Sequence, residues 1–463
     1  MSESEATRDL KVMLGNPRKA VLAMSGPLII SFLVVQINSF ADTSWCSILG
    51  VDPSSAVSTI SPVYWIVSGV GTSIGVGAAT SIARCLGRRE KDRADALVTQ
   101  TMAISTVIAI VLTPVMYLLL DPSISMMGAD DIRDLCRAYI DPIVVCTVAM
   151  VLNGVIAGIL RSEGAAKRST VMLLVAAVLN IILDPIFMFV LDMGIAGAGW
   201  ATSISTIASM LVGLWWFARG SVYLRMSFKG FRFDLGMIRD VMLVGIPKTV
   251  ETTLISVMSM IQRIFVIICG GSVGAALYNI PWRFVSLSEV VSQATGSSLI
   301  PIVSAAMGQE DHRRAADACA YSLRITLLAM TAIAVLLFVF ADWAMIPFTL
   351  SESMEELRPQ FAHVLRIYAV MMPFIGLIDI GSSILESLRL AQLSMISSFI
   401  RNVIIIAFLV IACTMSMDAI FYSILASEII GGALMMGIAL REFRKVTGIG
   451  LFELMRKGGD AIT

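Results

Sequence analysis

The chain has 463 residues, of which 57% are hydrophobic and only 15% charged, and its formal net charge is zero. Soluble globular proteins carry about 25% charged residues, so this composition, with a mean hydropathy of +0.85, excludes that class. The global charge balance points to no partner, and no nucleic-acid partner is expected.

The chain opens with MSESEATRDLKVMLGNPRK, a polar segment without a short apolar region and cleavage site, so the first apolar stretch reads as a retained helix and not a signal peptide. Apolar runs near the roughly 20 residues that cross a bilayer then recur. Their ranges are 19–46, 55–83, 94–120, 133–160, 168–191, 195–218, 238–268, 276–306, 316–342, 358–387, 392–413 and 419–440. The expected fold is an all-α polytopic membrane protein with twelve transmembrane helices.

Lys and Arg orient these spans. They gather before span 1 (Arg8, Lys11, Arg18, Lys19) and after span 2 (Arg84, Arg88, Arg89, Lys91, Arg93). They recur after span 4 (Lys167, Arg168), span 6 (Arg225, Lys229, Arg232) and span 8 (Arg313, Arg314), and in the tail (Arg441, Arg444, Lys445, Arg456, Lys457). The alternate loops 47–54, 269–275 and 414–418 contain none, and loops 121–132 and 349–357 are acidic, with Asp121, Asp130, Asp131, Glu352, Glu355 and Glu356. The positive-inside rule places both termini in the cytoplasm of a plasma-membrane protein.

The two halves of the chain resemble each other. Pro27 in SGPLIISF pairs with Pro247 in VGIPKTVE at an offset of 220, and LGRREKDRADA pairs with MGQEDHRRAAD. Six helices per copy give both copies one orientation, hence two six-helix bundles related by a parallel pseudo-two-fold repeat with a central cavity between them. The expected layout is a cytoplasmic segment 1–18, a first bundle 19–218, a linker 219–237, a second bundle 238–440 and a cytoplasmic tail 441–463.

The chemistry-bearing residues are few. The seven cysteines are scattered and odd in number, which supports neither a disulfide framework nor a zinc site. Gly71-Thr72-Ser73-Ile74-Gly75 spells GxSxG, but Ser73 lies deep on span 2 toward the cytoplasm while His363 is near the outer end of span 10 and His312 is in a cytoplasmic loop, so no base accompanies it and an enzyme is not expected. With Gly69 and Gly77 these glycines read instead as small-residue ridges for close helix packing. The 29 methionines, Met258, Met260, Met371 and Met372 among them, read as ordinary filling of apolar spans. Lys248 and Glu251, three apart, read as a mutually neutralising pair. Arg263, Arg283, Glu289, Arg324, Asp342, Glu386, Arg401 and Glu428 lie where they snorkel or pair across a bundle.

Two aspartates stand out. Asp42 lies in PLIISFLVVQINSFADTSW and Asp184 in TVMLLVAAVLNIILDPIFMFVL. A carboxylate in hydrocarbon costs roughly 2.5–3.5 kcal/mol even on the lenient insertion scale, so such residues usually line an ion or substrate path. Each has an asparagine four positions earlier, Asn38 and Asn180, on the same helix face. At about 1.5 Å per residue, Asp42 and Asp184 lie some 10–12 Å from the outer helix ends, and Thr202 enters at similar depth. These oxygens suit a hard cation such as Na⁺, or a proton shared between carboxylates. Pro185 withholds its N–H and loosens the helix beside the acid.

Three stretches carry a family resemblance: SGPLIISFLVVQINSFADT, SGVGTSIGVGAATSIARCLGRRE and ILRSEGAAKRSTVMLLVAAVLNIILDPIFMFVLDMGIAGAGWAT. The chain resembles the multidrug and toxic compound extrusion (MATE) family over essentially all its spans. The resemblance implies a two-lobed exporter, monomeric in the lipid bilayer, that exchanges Na⁺ or H⁺ for organic, often cationic, drugs by alternating access. It implies no other cofactor. It places the coupling cation at Asp42, Asn180, Asp184 and Thr202, with Na⁺ on those ligands if sodium is the ion. Asn38, Gln36, Asn153, Gln262 and Asp379 are the expected lining of the substrate cavity. In the second half Gln262 takes the place of Asp42, and Glu251 falls a turn early for the helix 7 acid used by another branch. A lipid-linked oligosaccharide flippase of related fold is the alternative, kept open by Lys248, Arg263 and Arg283.

Overall fold

The computed structural model describes residues 5–127, 129–349 and 352–451. Arg456 and Lys457 lie outside the described residues, as does the side chain of Glu352. Eleven helices are long and apolar enough to cross a bilayer, and a bent pair makes a twelfth. In chain order spans 1 to 6 are Pro17–Ile48, Asp52–Gly87, Lys91–Met126, Asp130–Val145 with Thr147–Ser162, Ala166–Val190 and Ile195–Ala218. Spans 7 to 12 are Leu235–Gly271, Val273–Gly308, His312–Val339, Arg358–Ser387, Ala391–Ala412 and Met417–Thr447. Two compact units result: Met1–Thr253 with Ser304–Glu310, and Leu254–Val303 with Asp311–Thr463.

The fourth span is not the continuous helix that 133–160 suggests. It bends by 56° between Val145 and Thr147. Pro142 lacks the N–H that would bond back one turn, and the Cys146 N–H then reaches both Pro142 O and Ile143 O, at 3.2 and 3.1 Å, in a tightened turn. The polar N-terminal segment also differs from expectation. Glu5–Leu14 is a helix whose Ala6, Leu10 and Met13 are buried. Their i, i+4, i+7 spacing puts them on one face, and a side chain on Gly164 would strike Met13 and the Asp9 carbonyl. Arg168 pairs with Glu5 at 3.6 Å.

The glycines of span 2 act as the ridge their spacing suggests. A Cβ on Gly71 would meet the Val151 backbone, and one on Gly75 would meet Gly154 and Gly158. Spans 2 and 4 thus approach backbone to backbone. Ser73 is buried there with its Oγ 3.5 Å from Thr252 Oγ1, and it faces no histidine. A Gly75→Val substitution is expected to force these helices apart at a cost of about 1–3 kcal/mol. A melting temperature in detergent unchanged from the parent chain would contradict this.

The second unit has an aromatic and methionine core. Tyr278 stacks on Trp282 at 5.5 Å, and Tyr368 meets Trp282 and Phe421 edge-on at 5.5 and 6.0 Å. Met258, Met371 and Met372 are buried in this core as filling. One expectation from the cysteines fails: Cys269 and Cys413 form a disulfide, with Cα atoms 5.9 Å apart. The pair is 144 residues apart in sequence, and only the fold brings the two thiols within reach. Thiol labelling of the unfolded chain with and without prior reduction checks it. Reduction is expected to add two reactive thiols to the five free ones, whereas Cys269→Ser frees Cys413 and is expected to show six thiols with or without reduction.

The linker after span 6 is fastened to the first unit along its length. Glu163 accepts from Leu224 N at 2.9 Å, Asp95 from Arg225 N at 2.8 Å and Thr99 from Ser227 N at 3.2 Å. Gln100 donates to Arg232 O at 2.6 Å and accepts from Asp234 N at 3.3 Å. Burial pushes the Glu163 carboxyl up to about 7, opposed by the Leu224 and Tyr223 N–H groups and by the Arg168 charge. Between its ordinary value near 4.5 and about 7, the folded state binds the proton more tightly than the unfolded chain, so stability falls as pH rises through that window. The expected outcome is a melting temperature that declines from pH 5 to pH 7 in the parent chain and declines less in Glu163→Gln.

Candidate functional site

Span 5 carries the centre of the site. Its regular helix ends at Pro185 and continues as a wider π-helical turn, Ile186–Val190. The missing N–H of Pro185 removes one rung of the ladder, and the widened turn beside Asp184 is the local adjustment. Asn180 and Asp184 are both buried on the inward face of this helix, 3% and 1% exposed. Span 1 presents Asn38 and Asp42 from the other side, both half-buried.

Five polar side chains join there. Asn180 Nδ2 donates to Asp184 Oδ1 at 2.9 Å and lies 3.5 Å from Thr202 Oγ1 on span 6. Asn38 Nδ2 donates to Asn180 Oδ1 at 2.8 Å and to Asp42 Oδ2 at 3.2 Å. The carboxyl groups of Asp42 and Asp184 thus lie in one network, linked through Asn38 and Asn180. Three buried oxygens have no donor: Asn38 Oδ1, Asp42 Oδ1 and Asp184 Oδ2. Two carboxyl groups joined in one buried network need a proton or a cation between them. The donor set of two carboxylates, an amide oxygen and a hydroxyl is one that a hard monovalent cation also accepts.

Asp42, Asn180, Asp184 and Thr202 are therefore brought together, and Asn38 belongs with them as a bridge. Gln36 is half-buried on span 1 outside this network. Asn153 is held elsewhere, accepting from Ser209 Oγ at 2.8 Å. Cys46 and Tyr139 are close enough to feel both acids electrostatically, and Tyr64 to feel Asp42. Nothing in the sequence marks them, because aromatic and sulfur side chains are common in every span.

In the second unit Gln262 and Asp379 line a cavity of about 160 Å³ together with Glu289, Arg401, Asn402 and Glu428. Gln262 accepts from Tyr278 OH at 2.9 Å, and Asp379 accepts from Ser292 Oγ at 2.5 Å. Arg401 and Glu428 pair at 3.0 Å. Lys248 and Glu251 belong to the first unit and pair at 3.4 Å.

A multi-pass helical membrane protein with paired intramembrane carboxylates is the class this fold and site define. The MatE family model matches the chain twice, at residues 27–186 and 247–411, and the chain belongs to that family. The two matches begin at Pro27 and Pro247, the residues that pair in the internal repeat. Among curated relatives, the multidrug export protein MepA of Staphylococcus aureus is 25% identical over 289 residues, 62% of this chain and 63% of its own length. MepA of Staphylococcus saprophyticus is 24% identical over 288 residues, with the same coverage. The chain thus spans less than two thirds of the length of these relatives. Among solved structures, a MATE protein in complex with MaL6 superposes with a TM-score of 0.91 at 24% identity, covering 96% of this chain and all of the other. A MOP superfamily transporter from Pyrococcus furiosus gives 0.90 at 24% identity, covering 96% and 99%. At these identities the likeness establishes the fold.

If Asn180 holds the acids in register, Asn180→Ala is expected to weaken protection of span 5 in hydrogen exchange around residues 176–184. The distant Asn153→Ala is expected to leave that segment unchanged.

Proposed function

We propose that this protein is a secondary active exporter that exchanges Na⁺ or H⁺ for organic, often cationic, small molecules by alternating access. The observation that carries this reading is the joining of Asp42 and Asp184 through Asn38 and Asn180, with donorless oxygens around them. Such a pair binds a proton or a small cation strongly and reorganises when it leaves. With both acids charged they repel, by about 4 kcal/mol for unit charges about 4 Å apart at an effective dielectric of 20, and Asn38 and Asn180 transmit this between spans 1 and 5. Binding of the cation therefore changes how span 1 packs, which is a physical basis for coupling.

Orientation in the plasma membrane with cytoplasmic termini rests on the Lys and Arg distribution. The Cys269–Cys413 disulfide supports it, because it joins the chain at two of the three loops that lack Lys and Arg, and disulfides persist on the oxidising side. The flippase alternative has less support. Lys248 is neutralised by Glu251, and the charged lining of the second-unit cavity is mainly acidic, with Arg401 paired to Glu428.

The test is ethidium efflux from vesicles with independently imposed Na⁺ and pH gradients. Asp184→Asn and Asp42→Asn are each expected to lower coupled efflux at least tenfold, a loss of about 1.4 kcal/mol or more. The assignment fails if either variant follows the imposed gradient as the parent chain does.

A further inference from the structure

Between spans 6 and 7 the chain runs across the cytoplasmic end of span 3 as a fastened strap, held from beneath by Glu163, Asp95, Thr99 and Gln100. Its outer surface is of a different kind. Arg225, Lys229 and Arg232 are exposed, and among the described residues their side chains make no hydrogen bond or ion pair. Beside them Phe228 and Phe233 are each 54% exposed and Leu235 80%. Phe231 joins the phenylalanines into one cluster, 5.8 Å from Phe228 and 5.0 Å from Phe233. The strap and the start of span 3 together line a cavity of about 900 Å³, and the three basic residues are part of that lining.

The same lining holds three acids, Asp92, Asp95 and Asp234, but among the described residues none of them forms an ion pair with the three cations. Asp95 is engaged by Lys91 Nζ at 2.8 Å and by the Arg225 N–H. Asp234 caps span 7 through the N–H groups of Gly236 and Met237. Asp92 alone remains, in the first turn of span 3.

We propose that this strap binds the headgroup of an anionic phospholipid. Arg225, Lys229 and Arg232 meet the phosphate, and the phenylalanine cluster with Leu235 enters the boundary between headgroups and acyl chains. Three cations juxtaposed with exposed aromatic side chains, on a segment joining two membrane spans, match the chemistry of an anionic leaflet surface. A soluble anion would satisfy the cations but leave the aromatic cluster in water. The hydrogen bonds beneath the strap fix its spacing to the membrane-spanning helices. The inference is independent of what is transported.

The experiment reconstitutes the full chain in mixed phosphatidylcholine and phosphatidylglycerol, strips the lipid with detergent, and counts the phosphatidylglycerol retained by native mass spectrometry. The parent chain is expected to retain phosphatidylglycerol over phosphatidylcholine. Arg225→Gln/Lys229→Gln/Arg232→Gln is expected to bind it about a hundredfold more weakly, at about 1 kcal/mol per basic residue. Phe228→Ser/Phe233→Ser is expected to lose part of the retention with the charges in place. Equal retention by the parent and triple variants overturns the proposal. Complete displacement by inorganic phosphate also overturns it, in favour of a soluble-anion site. If the triple variant does not fold, the parent chain decides the matter: retention must fall as salt is raised, and indifference to salt overturns the proposal.

Discussion

Two carboxyl groups joined in one network inside an apolar helix packing cannot both be charged and alone. That constraint organises the first unit around Asp42 and Asp184. The asparagine four residues before each acid faces the same way, and the Asn38–Asn180 hydrogen bond ties the two helices together at 2.8 Å. Thr202 closes the site from span 6. The widened turn after Pro185 lets the buried acid sit where span 5 no longer keeps a regular ladder. Each of these features answers the cost of placing negative charge in a low-dielectric interior.

The second unit handles buried charge in another way. Gln262, at the position corresponding to Asp42, takes a hydrogen bond from Tyr278 and needs no counter-ion. Glu428 has Arg401, and Asp379 has Ser292. The two copies of the repeat therefore share a backbone plan and differ in electrostatics. One copy leaves carboxylate oxygens of Asp42 and Asp184 without donors, while in the other Glu428 pairs with Arg401 and Asp379 accepts from Ser292.

Much of this was legible in the sequence because a polar residue in a hydrophobic run is conspicuous. Asp42, Asn180, Asp184 and Thr202 were found by composition, helical spacing and depth alone, and the repeat by matching prolines and cytoplasmic turns. Other features were hidden for physical reasons. The bridging role of Asn38 depends on a partner 142 residues away, which no local pattern encodes. The bend at Cys146 needed more than the presence of Pro142, since Pro27, Pro62 and Pro114 lie inside helices of the same protein. The N-terminal helix went unseen because its apolar face consists of three residues, Ala6, Leu10 and Met13, among charged neighbours. The disulfide was missed because an odd number of scattered cysteines conceals a single pair.

That disulfide also bears on how the protein is made. Its two sulfurs lie at the ends of span 7 and span 11. Four spans separate them along the chain, and the bond closes only when all of these have been threaded and both cysteines have crossed to the same side. Oxidation at this pair is thus a late event in biogenesis. The oxidised fraction of a membrane preparation then counts the chains whose second half was inserted in the right order and orientation, whether or not they transport anything.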